Sequence, residues 1–143
     1  MSQLDVNIVD GKFLAREVST LNPRETMSAN ETDSLEQVLK LMNDSGRSCV
    51  TFADESGKLT GILTEKDAVR GVLEHGLSKK VESLITKDLQ TVSPNMSIAD
   101  VFNKMASGQF RHMPIVDEES KVTGIISVRD LVQYVSKTLT NNI

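Results

Sequence analysis

The chain has 143 residues, long enough for one compact domain with an ordinary core and too short for two large ones. Its 38% hydrophobic and 25% charged residues exclude wholesale disorder, and a net charge of −4 with a pI near 5.2 disfavours a polynucleotide partner while leaving room for a local phosphate pocket. The single cysteine, Cys49, excludes an intrachain disulfide.

The first residues, Met1 to Asp5, carry no basic stretch followed by an apolar run, and no apolar run approaches the ~20 residues that span a bilayer. The expectation is a soluble cytoplasmic protein that binds neither membrane nor nucleic acid. A short helix is predicted at Val18 to Leu21 and a brief extended piece at Thr26-Met27-Ser28. Asp33, with Glu36 three residues on, predicts a helix start, and Leu35, Val38, Leu39 and Met42 then form one apolar helix face. Gly46 marks its stop. Cys49 to Ala53 and Lys58 to Leu63 predict a hairpin around the Asp54-Glu55-Ser56-Gly57 turn, followed by a helix from Glu65 to about Glu74.

The same order then recurs. A short helix at Val81 to Ile85 and an extended piece at Leu89 to Ser93 precede a helix with the face Ile98, Val101, Phe102 and Met105, stopped at Gly108. Pro94 marks the exit from that extended piece. Strands at Met113 to Val116 and Lys121 to Ile126 flank a turn at Asp117 to Ser120, and a helix runs from Val128 to about Lys137. The recurrence is a duplication. Offset by 63 positions, Thr60-Gly61-Ile62 falls on Thr123-Gly124-Ile125, Asp67 on Asp130, and Ser34, Val38 and Met42 on Ser97, Val101 and Met105, without a gap. Two long copies, unlike a solenoid of many short repeats, suggest a pseudo-twofold pair that buries a shared face. The expected organisation is an N-terminal extension at 1–14, a first copy at 15–77, a second at 78–140 and a tail at 141–143.

The best-matched segments are Gly61 to Asp67 and Gly124 to Asp130. Both read glycine, two apolar residues, a hydroxyl, two variable residues and aspartate, at a strand-to-helix junction. A helix N-terminus presents unpaired N–H groups to an anion, and aspartate offers two acceptors to adjacent ribose hydroxyls. The same spacing, Thr64-x-x-Asp67 and Ser127-x-x-Asp130, is equally a capping box. The residues alone leave both readings open.

The element order, the tandem copies and the two glycine-to-aspartate segments resemble the CBS domain pair, also called a Bateman module, over about Ala15 to Val135. Phe110-Arg111-His112-Met113-Pro114-Ile115-Val116-Asp117 is also similar to the family's strand entry. The resemblance implies an α/β (α+β) fold of two β-α-β-β-α units packed through their sheets with pseudo-twofold symmetry. It implies a non-catalytic regulatory module whose clefts between the copies hold AMP, ADP, ATP, NAD or S-adenosylmethionine, with no metal required. Asp67 and Asp130 would hold ribose, Thr64 and Ser127 would face phosphate, and Arg111 and His112 would lie near it. Met27, Ser28, Thr91, Val92 and Ser93 would meet the base, with Pro114 beside them. A homodimer is implied, with a regulated protein acting in trans. Copy one departs from the pattern: Ser48-Cys49 stand where copy two has Arg111-His112, and Thr51 where it has Pro114. The two sites are therefore expected to differ.

Other chemistry finds little support. Two histidines and one cysteine do not make a zinc constellation, and no phosphate-binding glycine loop of the P-loop or dinucleotide type appears. Cys49 reads as a core thiol, His75 as a complement to a helix C-terminus, and the methionines as core or cleft filler. Four Phe, one Tyr and no Trp leave few platforms for stacking single-stranded nucleic acid. The rival to nucleotide sensing is a ligand-free scaffold of the same fold.

Overall fold

The computed structural model of the protein describes residues 12–141. The proposed extension at 1–14 and tail at 141–143 fall mostly outside them. Nine regular elements follow in order: β1 (Met27–Ser28), α1 (Leu35–Ser45), β2 (Cys49–Ala53), β3 (Leu59–Thr64), α2 (Glu65–His75), α3 (Ile98–Gly108), β4 (His112–Val116), β5 (Val122–Ser127) and α4 (Val128–Asn141). Single 3₁₀ turns lie at Lys12–Leu14, Val18–Leu21 and Val81–Ser83. The mixed α and β order expected from the sequence is present.

The chain forms two compact units. One comprises residues 25–90 with 118–122, and the other residues up to 24, 91–117 and 123 onward. In the first, β1 pairs parallel with β2, and β2 antiparallel with β3. The apolar faces of α1 and of β2 and β3 bury Leu35, Val38, Met42, Val50, Phe52 and Leu63 together, with Leu39 partly buried beside them. In the second unit β4 pairs with β5, and Val92 adds a parallel bridge to Ile115. Its core joins Ile98, Val101 and Met105 of α3 to Met113, Ile115, Ile126 and Leu131, with Phe102 packed against it.

The units of packing are offset from the units of repetition. Val18 belongs to the core of copy two, and its counterpart Val81 to that of copy one. The bonds repeat as well. Val81 N–H donates to the Asp33 carbonyl at 2.9 Å, and Val18 N–H to the Met96 carbonyl at 2.8 Å. Leu35 N–H donates to Lys79 and Ile98 N–H to Arg16, both at 2.9 Å. Residues 63 apart thus occupy equivalent environments, as the ungapped duplication predicts.

Several local expectations are corrected. The cap of α1 is Ser34, whose hydroxyl accepts from Gln37 N–H while the Gln37 side chain accepts from Ser34 N–H. Asp33, the expected cap, instead accepts from Asn30 N–H at 3.1 Å, one residue too early to reach the helix's orphan donors. Gly108 lies inside α3, and Gln109 takes the left-handed stop at φ 58, whereas Gly46 does so for α1 at φ 67. Leu89 to Ser93 form no strand beyond the Val92 bridge, and Val81 to Ile85 shorten to the single turn at Val81–Ser83.

Candidate functional site

Each strand-to-helix junction is built the same way. β3 ends at Thr64, which caps α2, and β5 ends at Ser127, which opens α4. Thr64 Oγ1 accepts from Asp67 N–H at 3.3 Å and donates to Asp67 Oδ2 at 2.8 Å, while Oδ2 also accepts from Thr64 N–H at 3.4 Å. Ser127 and Asp130 repeat the three bonds at 3.2, 2.9 and 2.8 Å. Both capping boxes are therefore formed. In each, one carboxylate oxygen, Oδ2, does the capping, and Oδ1 takes none of these bonds. A capping aspartate thus retains an acceptor for a second partner.

The amides of the first helical turns are mostly occupied. Glu65 N–H donates to the Ser48 carbonyl at 2.9 Å and Val128 N–H to the Arg111 carbonyl at 3.0 Å. With the third amide capped by the hydroxyl, the second, on Lys66 and Arg129, has no partner among the described residues. The four open donors expected of a bare helix N-terminus reduce here to one.

These bonds also tie each strand entry to its motif. In the second unit Arg111 is exposed and His112, half-buried, opens β4 beside the start of α4. Pro114 is buried at the centre of β4, and its carbonyl accepts from Val92 N–H at 3.0 Å. Val92 is buried, and the Thr91 carbonyl accepts from Lys104 Nζ at 3.2 Å. The Ser93 hydroxyl turns instead to Asn95, at 2.7 Å. Thr91, Val92, Arg111, His112, Pro114, Ser127 and Asp130 all belong to this unit. In the first unit Met27, half-buried, and Ser28, exposed, pair with Val50 and Thr51, while Thr64 ends β3 and Asp67 lies in the first turn of α2.

Cys49 occupies the place that His112 has in copy two, opposite Thr64 across the β2–β3 ladder. Burial pushes its thiol up to about 12, and the Asp67 charge adds to the shift. The thiol is buried, as the sequence suggests, and it sits beside the motif, which the sequence alone did not reveal. The sequence pairs Ser48 with Arg111 but does not show that its carbonyl takes the Glu65 amide, nor that the Ile85–Thr86 run backs Gly61. A side chain built on Gly61 would collide with Ile85.

Among the described residues no group of three His, Cys, Asp or Glu is placed to hold a metal, and no helix is long and apolar enough to cross a membrane.

Comparison with known proteins places the chain. The family model for the CBS domain matches twice, over residues 15–74 and 81–137. An uncharacterised 17.7 kDa protein of Acidianus ambivalens is 27% identical over 120 residues, covering 84% of this chain and 73% of its own length. Other curated relatives are longer, the chain spanning 21 to 58% of them. Among solved structures, the CBS domain pair of protein MJ0100, in complex with 5′-methylthioadenosine and S-adenosyl-L-methionine, aligns with a TM-score of 0.77 at 22% identity. That alignment covers 84% of this chain and 95% of the other. The cytosolic domain of the Mg2+ channel MgtE, in complex with ATP, aligns with a TM-score of 0.70 at 22% identity, covering 82% and 48%. With both copies matched, the chain belongs to the CBS domain family and is a tandem CBS pair.

Proposed function

We propose that the chain is a non-catalytic regulatory module that binds an adenosine-type nucleotide and signals to a partner protein through a change of conformation. The observation that carries the reading is the doubled capping aspartate. Asp67 and Asp130 are each fixed through Oδ2 and keep Oδ1 for a ribose hydroxyl. Family relatives bound to methylthioadenosine, S-adenosylmethionine and ATP support an adenosine ligand. Thr64 and Ser127 hold the aspartates and face phosphate, with Arg111 and His112 beside the second motif. Met27, Ser28, Thr91, Val92 and Pro114 complete the surroundings of the base. Signalling follows from differential affinity, since a ligand that favours one conformation shifts the population toward it.

The active form is a homodimer. Val69 and Val132, 63 positions apart on α2 and α4, are 51% and 58% exposed, and Leu73 is 83% exposed. Apolar residues repeated on equivalent helix faces suit an isologous contact. Light scattering should report a dimer at micromolar concentration, and Leu73→Asp with Val132→Asp should give a folded monomer. A monomeric wild type would contradict the assembly.

Mass spectrometry of small molecules released from protein purified without added nucleotide tests the ligand class. An adenosine compound in stoichiometric amount supports the reading. If none is released, and a panel of AMP, ADP, ATP, NAD and S-adenosylmethionine at millimolar concentration leaves the melting temperature unmoved, the ligand-free scaffold stands in its place. A ligand at 100 times its Kd should raise stability by about 2.7 kcal/mol.

A further inference from the structure

Residues 12–24 belong to the second unit and bond to the rest of it along much of their length, including Val18 N–H to the Met96 carbonyl and the Arg16 carbonyl to Ile98 N–H at the start of α3. The Tyr134 hydroxyl of α4 donates to the Phe13 carbonyl at 2.7 Å, with the two rings 6.1 Å apart. Val18 is fully buried, and Ser19 N–H donates to the Pro94 carbonyl at 3.1 Å. At the far end Asn22 turns the chain with a left-handed φ of 50, and Arg24 then bridges to Ile125 of β5, whose N–H donates to the Arg24 carbonyl at 3.0 Å. Gly124 permits this approach, because a Cβ there would come within 2.9 Å of the Pro23 ring. Two residues beyond Ile125, the same strand ends in the Ser127 hydroxyl that orients Asp130. The segment therefore holds both sides of the copy-two motif: β5, which leads into it, and α4, which leads out.

We infer that docking of residues 12–24 is linked to the geometry of the Ser127–Asp130 turn, so that this segment is the element through which the second motif reports its state. The linkage is a property of the chain alone, and its ligand dependence rests on the nucleotide reading above. A ligand that fixes the turn also fixes β5, and a fixed β5 holds Arg24 and Pro23 more firmly. Reciprocity requires that loosening the segment weaken the ligand by the same factor. Lys79 to Thr86 make the corresponding contacts with copy one, where Thr86 bridges to Ile62 of β3. That run serves as an internal control.

The test is amide hydrogen exchange on the full chain and on Pro23→Gly, a half-buried position outside the motif. Without ligand, protection at Ile125, Ser127 and Asp130 should fall on the order of tenfold in the variant, while Ile62, Thr64 and Asp67 stay unchanged. Val101 and Met105 in α3 should also stay unchanged. A fall spread evenly over α3 and β5 would make the segment an ordinary part of the core and overturn the proposal, as would no change at Ile125 to Asp130. With saturating AMP on the wild type, the amides of Val18, Ser19 and Ile125 should gain protection, and Pro23→Gly should bind AMP more weakly by a matching factor. Binding of AMP with equal affinity to both proteins overturns the linkage and leaves the nucleotide reading intact. Failure of AMP and of the other adenosine compounds to bind either protein overturns the nucleotide reading, and the ligand-free exchange then decides the linkage by itself.

Discussion

At Asp67 and Asp130 the carboxylate's capping bonds all fall on one oxygen, Oδ2, and the proposed ribose contact would fall to the other. Oδ2 caps the helix, so removal of the carboxylate should cost about 0.5–2 kcal/mol of stability whatever else it does. Urea denaturation of Asp67→Ala and Asp130→Ala measures this, and a change below that range would mean that the boxes contribute little in solution. The sequence could not choose between cap and ligand, because S/T-x-x-D satisfies both and the division between oxygens lies below the resolution of spacing. Cys49 gives a second check at this scale. With its thiol pushed up to about 12 by burial, it should resist alkylation at pH 8 until the protein unfolds. The raised value also fixes a sign: the unfolded thiol loses its proton near its ordinary value of 9.0 and the folded one near 12, so stability is full below pH 9 and falls between them. Rapid labelling of the native protein at pH 8 would contradict the burial.

Among the elements, the periodic faces were the most legible. Leu35, Val38 and Met42, and Ile98, Val101 and Met105, are buried as their spacing requires, because a helix of 3.6 residues per turn leaves one stripe to cover. Caps were less legible. Asp33 and Ser34 are both good cap residues, and the reciprocal bonds between Ser34 and Gln37 separate them. Ser34→Ala should therefore cost about 1 kcal/mol, and Asp33→Ala distinctly less. Thermal unfolding of the two variants decides the order, and a larger loss at Asp33 would mean the helix starts one residue earlier. Gly61 lies in β3, three residues before Thr64. The structure gives it a neighbour of its own chain, Ile85, so Gly61→Ala should destabilise by about 1–3 kcal/mol through overpacking, with or without ligand. A neutral substitution would show that Ile85 has room to move.

For the whole molecule, duplication was visible in the sequence, but the crossing of the two lead-in segments was not. Val18 and Val81 align perfectly well as equivalent residues, yet each is buried in the core of the other copy, a fact that only long-range contacts carry. The net charge of −4 is likewise an average over copies that differ, since Arg111 and His112 stand at the strand entry of one and Ser48 and Cys49 at that of the other. The central claim is that the two aspartates hold the ribose of an adenosine nucleotide. Calorimetric titration of wild type, Asp67→Ala and Asp130→Ala with AMP, ATP and NAD tests it most directly, each protein first shown to be folded by circular dichroism. A hydrogen bond to a charged partner is worth about 1.5–3 kcal/mol, so at least one folded variant should bind on the order of tenfold to a hundredfold more weakly than wild type. Folded variants that bind as wild type does would make both aspartates caps alone and contradict the account.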